Sequence, residues 1–120
     1  MAVHQITSDH LSIEKVKEII TTKVAVELSE SAKQKIQKCR DYLNSDHITH
    51  GINTGFGSLC NTIISDENLS KLQRNLVISH ACGIGEEVPA EIVKLMMLLK
   101  VQGVSYGHSG VQLLTVQRLL

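Results

Sequence analysis

Aromatic side chains are almost missing from this chain, which has two tyrosines, one phenylalanine and no tryptophan among 120 residues. Proteins that bind single-stranded nucleic acid rely on aromatic stacking platforms, so this scarcity argues against that class. Lysine and arginine together number 12, and aspartate and glutamate also number 12, which leaves no net charge. Without a basic field, the sequence favours neither nucleic acid nor an anionic membrane as a partner.

Further absences narrow the class of protein. The three cysteines form no CxxC pair, which is typical of reduced thiols in the cytosol. The first ten residues lack the basic start and apolar run of a signal peptide. The longest apolar run, LMMLL, is far shorter than the ~20 residues that span a bilayer. The sequence therefore predicts a cytoplasmic protein, and its length predicts one domain over residues 1–120.

Hydrophobic periodicity predicts a mainly α-helical fold with a short strand or hairpin near the N-terminus. Apolar positions recur at helical spacing in five segments: 12–22, 29–46, 66–82, 89–105 and 111–120. Alternation of apolar residues in KVAVELS, residues 23–29, predicts the strand. The last segment keeps its apolar face to Leu120, so the domain is expected to end inside a helix that needs a partner.

Capping residues set the expected helix ends. Ser12 is expected to cap the first helix, and Ser65 or Asp66 the third, with Gly83 as its stop. Pro89 stands where the first residue of the fourth helix is expected. The middle of that helix, LMMLLKV, is apolar nearly all round, which is typical of a helix surrounded by other helices.

The least ordinary segment is HITHGINTGFGSLC, residues 47–60, in which three glycines fall within seven positions: Gly51, Gly55 and Gly57. A P-loop needs a lysine after its glycines, and a dinucleotide fingerprint needs GxGxxG between a strand and a helix. Neither pattern is present. Two histidines three residues apart open the segment, but zinc needs further ligands and no cysteine pair is offered. No metal site is predicted.

Two interpretations of this loop stay open from its residues alone. Glycine permits positive φ and close approach of a ligand to the backbone, and Asn53 and Thr54 add short hydrogen-bonding groups. A structural turn without a ligand explains the same residues equally well. His80 lies on a largely apolar helix and, taken by itself, is more typical of a core histidine than of a ligand contact.

Three segments in a fixed order carry a resemblance to a known family: GINTGFGSL at 51–59, LQRNLVISHACGIGEEVP at 72–89 and GHSGV at 107–111. With them the chain resembles the N-terminal part of the histidine ammonia-lyases, within the family of aromatic amino acid ammonia-lyases and aminomutases. The resemblance covers essentially the whole chain, and NTGFG together with SHACG is highly specific.

The resemblance implies a large, mainly helical homotetramer whose active sites are assembled from more than one subunit. Such enzymes eliminate ammonia from an amino acid, which for L-histidine gives urocanate in histidine catabolism. They use an electrophilic methylidene-imidazolone that forms from an internal Ala-Ser-Gly. The implied partners are L-histidine, the remainder of the lyase chain and further copies of it.

The family motif also implies roles for particular residues of this chain. The implied active-site loop comprises Gly51, Asn53, Thr54, Gly55 and Phe56. The resemblance further implies substrate contacts from Gly57 and His80. Of these, His80 would face the imidazole ring and favour histidine over other aromatic amino acids. His50 stands where the catalytic base of the family is expected.

Two departures from the family pattern bear on activity. The base in the family is a tyrosine, whereas ITHG places the shorter imidazole of His50 at that position. A misplacement of about 1 Å can cost roughly 100-fold in rate, so His50 is expected to serve poorly as the base. The chain also contains no Ala-Ser-Gly, so the electrophile cannot form within it. The alternative is a non-catalytic lyase-like module that self-associates through its apolar final helix.

Because these 120 residues lack Ala-Ser-Gly, the purified chain alone is expected to produce no urocanate from L-histidine. The measurement is the ultraviolet absorbance of urocanate over several hours, with an intact histidine ammonia-lyase as the positive control. Turnover by the isolated chain above the buffer blank would refute the expectation.

Overall fold

The computed structural model describes residues 2–43, 52 and 54–120. The chain divides into two compact units, which we call unit 1 (Met1–Ser45 with Val88–Leu120) and unit 2 (Asp46–Glu87). The elements of unit 1 are β1 (Val3–Ile6), α1 (Ile13–Thr22), β2 (Ala25–Leu28), α2 (Glu30–Leu43), α4 (Ala90–Ser105) and α5 (Leu113–Gln117). Those of unit 2 are a 3₁₀ turn (Gly57–Leu59) and α3 (Asp66–His80).

The prediction of a mainly helical chain with a short N-terminal strand is confirmed. The strand β2 pairs with β1 in parallel, and Ile6 lies opposite Leu28. Because α1 connects two parallel strands, the pair is not a hairpin. On the outer face, Gln5 Nε2 donates a hydrogen bond of 3.1 Å to Glu27 Oε2 of its cross-strand partner. The inner face carries the two buried side chains, Ile6 and Leu28.

Serine side chains fix the starts of α1 and α2. The backbone N–H of Lys15 donates to Ser12 Oγ at 3.2 Å, which confirms the predicted cap. The N–H of Ala32 donates to Ser29 Oγ at 3.2 Å in the same way. Each bond satisfies one of the N–H groups that a helix start leaves without an internal partner. Hydrogen bonds from its own backbone N–H and from Ser12 also hold the pKa of exposed Glu14 below its usual value.

The last helix is shorter than the sequence indicates. The prediction was a helix over 111–120 that continues to the end of the domain, whereas α5 covers only Leu113–Gln117. Gly110 has φ +63° and Gln112 is extended, so the helix cannot begin before position 113. Thr115 and Val116 are β-branched and have lower helix propensity. The N–H of Leu119 then bonds to the carbonyl of Val116, which closes a turn in place of a further helical bond.

Each helix and strand of unit 1 contributes one side to the hydrophobic core of that unit. Its buried members are Ile6, Ile19, Leu28, Ala32, Ile36, Leu98, Val101, Val104 and Val116. The expected burial of α4 on all sides is not found: Met96 is 62% exposed and Leu99 is 47% exposed. Only the side of α4 that carries Leu98 and Val101 faces the core. None of the described helices is both long enough and apolar enough to cross a membrane.

A buried polar cluster, which we call the α4 clamp, fastens the segment after β1 to α4. Gln102 Nε2 donates to the carbonyl oxygens of Thr7 at 3.1 Å and Asp9 at 3.0 Å. Ser105 Oγ lies 2.8 Å from the carbonyl oxygen of Thr7, and Ser8 Oγ donates to the carbonyl of Ser105 at 3.0 Å. Gln102 and Ser105 are buried, so these bonds offset the cost of removing their polar atoms from water.

The turn after α4 needs glycine at two positions because it lies against α2. Gly107 has φ +79°, and a Cβ placed there would lie 2.8 Å from the Cβ of Lys35 and 2.9 Å from its carbonyl oxygen. Gly110 also has positive φ, and a Cβ there would collide with the side chain of Leu43. Both positions therefore combine a left-handed backbone with a close approach of two segments.

We expect Gly107→Ala to destabilise the protein by at least ~2 kcal/mol, because a Cβ meets backbone atoms of Lys35 in an unfavourable left-handed conformation. The matched control is Gly103→Ala. Gly103 lies within α4, and a Cβ there has no heavy atom within 4 Å. Replacing this helical glycine should raise stability by about 0.5–1 kcal/mol. Urea unfolding measures both changes, and equal effects at the two glycines would contradict the packing argument.

Candidate active-site loop and helix α3

Five of the predicted site residues lie in the described part of unit 2: Thr54, Gly55, Phe56, Gly57 and His80. The predicted base His50 and the predicted loop residues Gly51 and Asn53 lie outside the described residues. The four consecutive residues 54–57 belong to one folded loop, and His80 is the last residue of α3.

Short-range hydrogen bonds hold the loop together. Thr54 and Ile63 form an isolated antiparallel bridge, and the N–H of Gly55 donates to the carbonyl of Thr62 at 3.0 Å. Thr54 is fully buried, and its Oγ1 donates to the carbonyl of Gly55 at 3.2 Å. The loop therefore returns on itself and brings residues 54–55 beside residues 62–63.

The tip of the loop is the single 3₁₀ turn Gly57–Leu59. Its bonds run from the N–H of Leu59 to the carbonyl of Phe56 at 3.0 Å, and from Cys60 N–H to the carbonyl of Gly57 at 3.1 Å. The ring of Phe56 is 42% exposed, so the predicted loop aromatic does not anchor a core. It stands at the start of the turn with much of its surface open to solvent.

Gly55 and Gly57 are required by the loop for different reasons. A Cβ on Gly55 would lie 2.7 Å from the Cβ of Leu59 and 2.8 Å from its carbonyl oxygen, closer than real Cβ contacts come. Gly57 has φ +57°, but a Cβ there would have no heavy atom within 4 Å. The turn itself thus accounts for both glycines, while the side of Gly57 that a Cβ would occupy is open space.

Helix α3 matches its predicted start, and its end has a different cause from the expected one. Ser65 is the N-cap residue, although its Oγ accepts from Asn68 Nδ2 at 3.0 Å and not from a backbone N–H. At the other end Ala81 has φ −75° and ψ 78°, and the N–H of Cys82 donates to the carbonyl of His80 at 2.9 Å. This is an inverse γ-turn. It ends the helix before Gly83, so Gly83 is not the stop.

His80 is exposed, which overturns its interpretation as a core histidine. Its Nδ1 lies 2.9 Å from the carbonyl oxygen of Leu76, one turn back in α3. The Oγ of Ser79 lies 3.0 Å from the same Nδ1 and 3.0 Å from the same carbonyl oxygen. Among the described residues, no group bonds to Nε2, so the far edge of the ring is open to a ligand. Sequence reasoning missed these contacts, whose only signal was a serine directly before the histidine.

The described residues of this loop and of α3 offer hydrogen-bonding groups and open backbone to a ligand. Within residues 2–43, 52 and 54–120, no group of three or more His, Cys, Asp or Glu side chains could hold a metal ion. The full sequence has no Ala-Ser-Gly, so the residues present do not fit the methylidene-imidazolone and we derive no step through that group.

Comparison with known proteins gives a family and a set of relatives. The family model "Aromatic amino acid lyase" matches residues 11–120. The histidine ammonia-lyase of Natranaerobius thermophilus is 39% identical over 119 residues, which is 96% of this chain and 24% of that protein. The histidine ammonia-lyase of Legionella pneumophila (strain Lens) is 42% identical over 114 residues, 92% of this chain and 22% of that protein. The chain thus spans about a quarter of the length of the curated relatives it matches.

Solved structures show the same backbone arrangement. Histidine ammonia-lyase from Trypanosoma cruzi is 33% identical with a TM-score of 0.81, and the match covers 100% of this chain and 23% of that chain. Ergothionase from Treponema denticola has a TM-score of 0.84 at 24% identity over 98% of this chain and 24% of that chain. At that identity, the second match shows the fold alone.

We expect Gly55→Ala to destabilise unit 2 by about 1–3 kcal/mol, because the added Cβ overlaps Leu59. Gly83→Ala is the matched control, since a Cβ there has no heavy atom within 4 Å and should change stability by less than about 0.5 kcal/mol. Hydrogen exchange at the Gly55 amide, which bonds to Thr62, measures the local opening. Unchanged protection in Gly55→Ala would show that the overlap relaxes without cost.

Proposed function

Because this chain belongs to the aromatic amino acid lyase family, we propose that it forms the N-terminal portion of a histidine ammonia-lyase. The whole enzyme would eliminate ammonia from L-histidine to give urocanate, as a step of histidine catabolism. Support comes from histidine ammonia-lyases that are 39–42% identical over 92–97% of this chain. The alternative of a non-catalytic module is not favoured, since the similarity to the enzymes runs through the whole chain.

The observation that carries the substrate assignment is the exposed imidazole of His80 at the end of α3. Its Nδ1 edge is taken up by Ser79 and the Leu76 carbonyl, while its Nε2 edge is open among the described residues. An imidazole can donate at one nitrogen and accept at the other, so it can pair with a second imidazole. A phenyl ring offers neither group, so this contact would favour histidine over phenylalanine.

We assign the loop that contains Gly51, Asn53, Thr54, Gly55 and Phe56 to the active site of that enzyme. Gly57 is its proposed substrate contact, supported by the open space where its Cβ would stand. A ligand atom could approach the backbone there more closely than at any residue that carries a side chain. The fixed turn Gly57–Leu59 would present that backbone in one conformation.

His50 is the proposed base, which would remove the proton from the β-carbon of the substrate. An imidazole with a free pKa of ~6.5 is largely in its basic form at neutral pH. A phenol has a free pKa of ~10, so its pKa must be lowered before it can act as a base at neutral pH. The length of the side chain favours tyrosine, because a histidine ring nitrogen lies closer to its own backbone than a tyrosine oxygen does. Rate depends steeply on that placement, so the histidine would be a slower base than the family's tyrosine.

The remaining features of the proposed enzyme would come from outside these residues. The electrophile would be a methylidene-imidazolone, which supplies the electron sink for loss of ammonia, and its Ala-Ser-Gly would lie in a downstream part of the chain. We further propose a cytoplasmic homotetramer in which the remainder of the lyase chain and neighbouring subunits complete the site. The free thiols of Cys39, Cys60 and Cys82 are consistent with a reducing compartment.

In the full-length protein, His50→Tyr is expected to raise kcat for L-histidine by roughly 10-fold or more, because the phenolic oxygen reaches further toward the substrate. The measurement is urocanate formation at saturating L-histidine. The matched control is His47→Tyr, which makes the same chemical change three residues earlier and should leave kcat unchanged.

Two outcomes separate the parts of this proposal. Urocanate formation that does not rise in His50→Tyr contradicts the base assignment while the lyase assignment stands. A full-length protein that makes no urocanate with either residue at position 50 contradicts the proposed function itself.

A further inference from the structure

We propose that Ser79 is a positioning residue that keeps the proton of neutral His80 on Nδ1, so that Nε2 presents a lone pair to a ring N–H of the substrate. This inference rests on the proposed function, because it concerns how His80 recognises the imidazole of L-histidine. It begins from three short contacts at the end of α3, which join Leu76, Ser79 and His80.

The carbonyl of Leu76 decides where the proton lies. It is 2.9 Å from His80 Nδ1, and a carbonyl oxygen can only accept a hydrogen bond. The contact is therefore a bond only when Nδ1 carries the hydrogen. In the other tautomer, two lone pairs would face each other at this distance, and the contact would repel.

The hydroxyl of Ser79 supports the same tautomer. It donates its one hydrogen to the carbonyl oxygen of Leu76 at 3.0 Å. Its oxygen then has only lone pairs left for His80 Nδ1, which lies 3.0 Å away. Because both neighbours of Nδ1 act as acceptors, the N–H at Nδ1 is shared between them and the ring is fixed in orientation.

The consequence is a defined hydrogen-bond polarity at the open edge of the ring. In neutral histidine only one nitrogen carries hydrogen, so Nε2 is left as an acceptor. It would bind a ligand ring that offers an N–H, which the imidazole of L-histidine does in its neutral and its protonated form. A ligand that offers only a lone pair at that place would leave two acceptors facing each other.

Nitrogen-15 NMR of the full-length protein labelled at histidine tests the tautomer directly, since protonated and unprotonated ring nitrogens resonate far apart. The His80→Gln variant identifies the signals of His80. In the neutral ring of the wild type, we expect a protonated Nδ1 and an unprotonated Nε2. In Ser79→Ala a measurable fraction should shift to the other tautomer, whereas Ser79→Thr keeps a hydroxyl and should restore the wild-type pattern.

Kinetics provide the second readout. Removing one neutral hydrogen bond that orients the ring should raise KM for L-histidine by about 2- to 10-fold in Ser79→Ala, with a smaller change in kcat. Ser79→Thr should recover most of the loss. The matched control is Ser70→Ala on the same helix, where the serine is exposed, and it should leave KM and the NMR spectrum unchanged.

Two results would overturn the inference: a neutral His80 ring that carries its proton on Nε2 in the wild type, or a Ser79→Ala protein with unchanged tautomer signals and unchanged KM. A different result tests the function on which the inference rests. If Nδ1 is protonated as expected but the full-length protein does not turn over L-histidine, the proposed function and the ligand of Nε2 are wrong, and the tautomer assignment stands by itself.

Discussion

The α4 clamp is the constraint on which unit 1 depends. Through it, Gln102 and Ser105 donate hydrogen bonds to the carbonyl groups of Thr7 and Asp9. The bonded residues are separated by 93 to 98 positions in the sequence. A clamp of such long range closes the chain around the parallel pair β1–β2 and brings the apolar side of α4 against the core. In sequence, unit 2 (Asp46–Glu87) is inserted between the two parts of unit 1.

The two units are stabilised by different interactions. Among the described residues, every buried hydrophobic side chain belongs to unit 1, whereas the described buried positions of unit 2 are Thr54 and Gly55. The loop of unit 2 is instead ordered by backbone hydrogen bonds and by glycines that permit its turns. The residues proposed to bind the substrate thus lie in the unit that has no buried hydrophobic side chain among its described residues.

Much of the fold follows from local signals in the sequence, and the exceptions have physical causes. The cap at Ser12 was predictable because it depends on a few neighbouring residues. The start of α4 was predicted one residue early, since Pro89 is its N-cap and Ala90 its first helical residue. The end of α3 was not predictable, since an inverse γ-turn at Ala81 acts before Gly83 is reached. The exposed side of α4 was also missed, because an apolar residue carries no mark of whether a partner covers it. Of the candidate site, the motif indicated His80 as a residue but not its bonds, which depend on the direction of a backbone carbonyl.

The carbonyl beside His80 has an evolutionary consequence because it belongs to the backbone. Mutation at position 76 exchanges a side chain and leaves the carbonyl oxygen, as long as the residue stays helical. One of the two acceptors proposed to fix the imidazole is therefore retained whichever side chain replaces Leu76. Within this cluster, Ser79 and His80 take part through their side chains, so substitutions there are the ones that alter its hydrogen bonds.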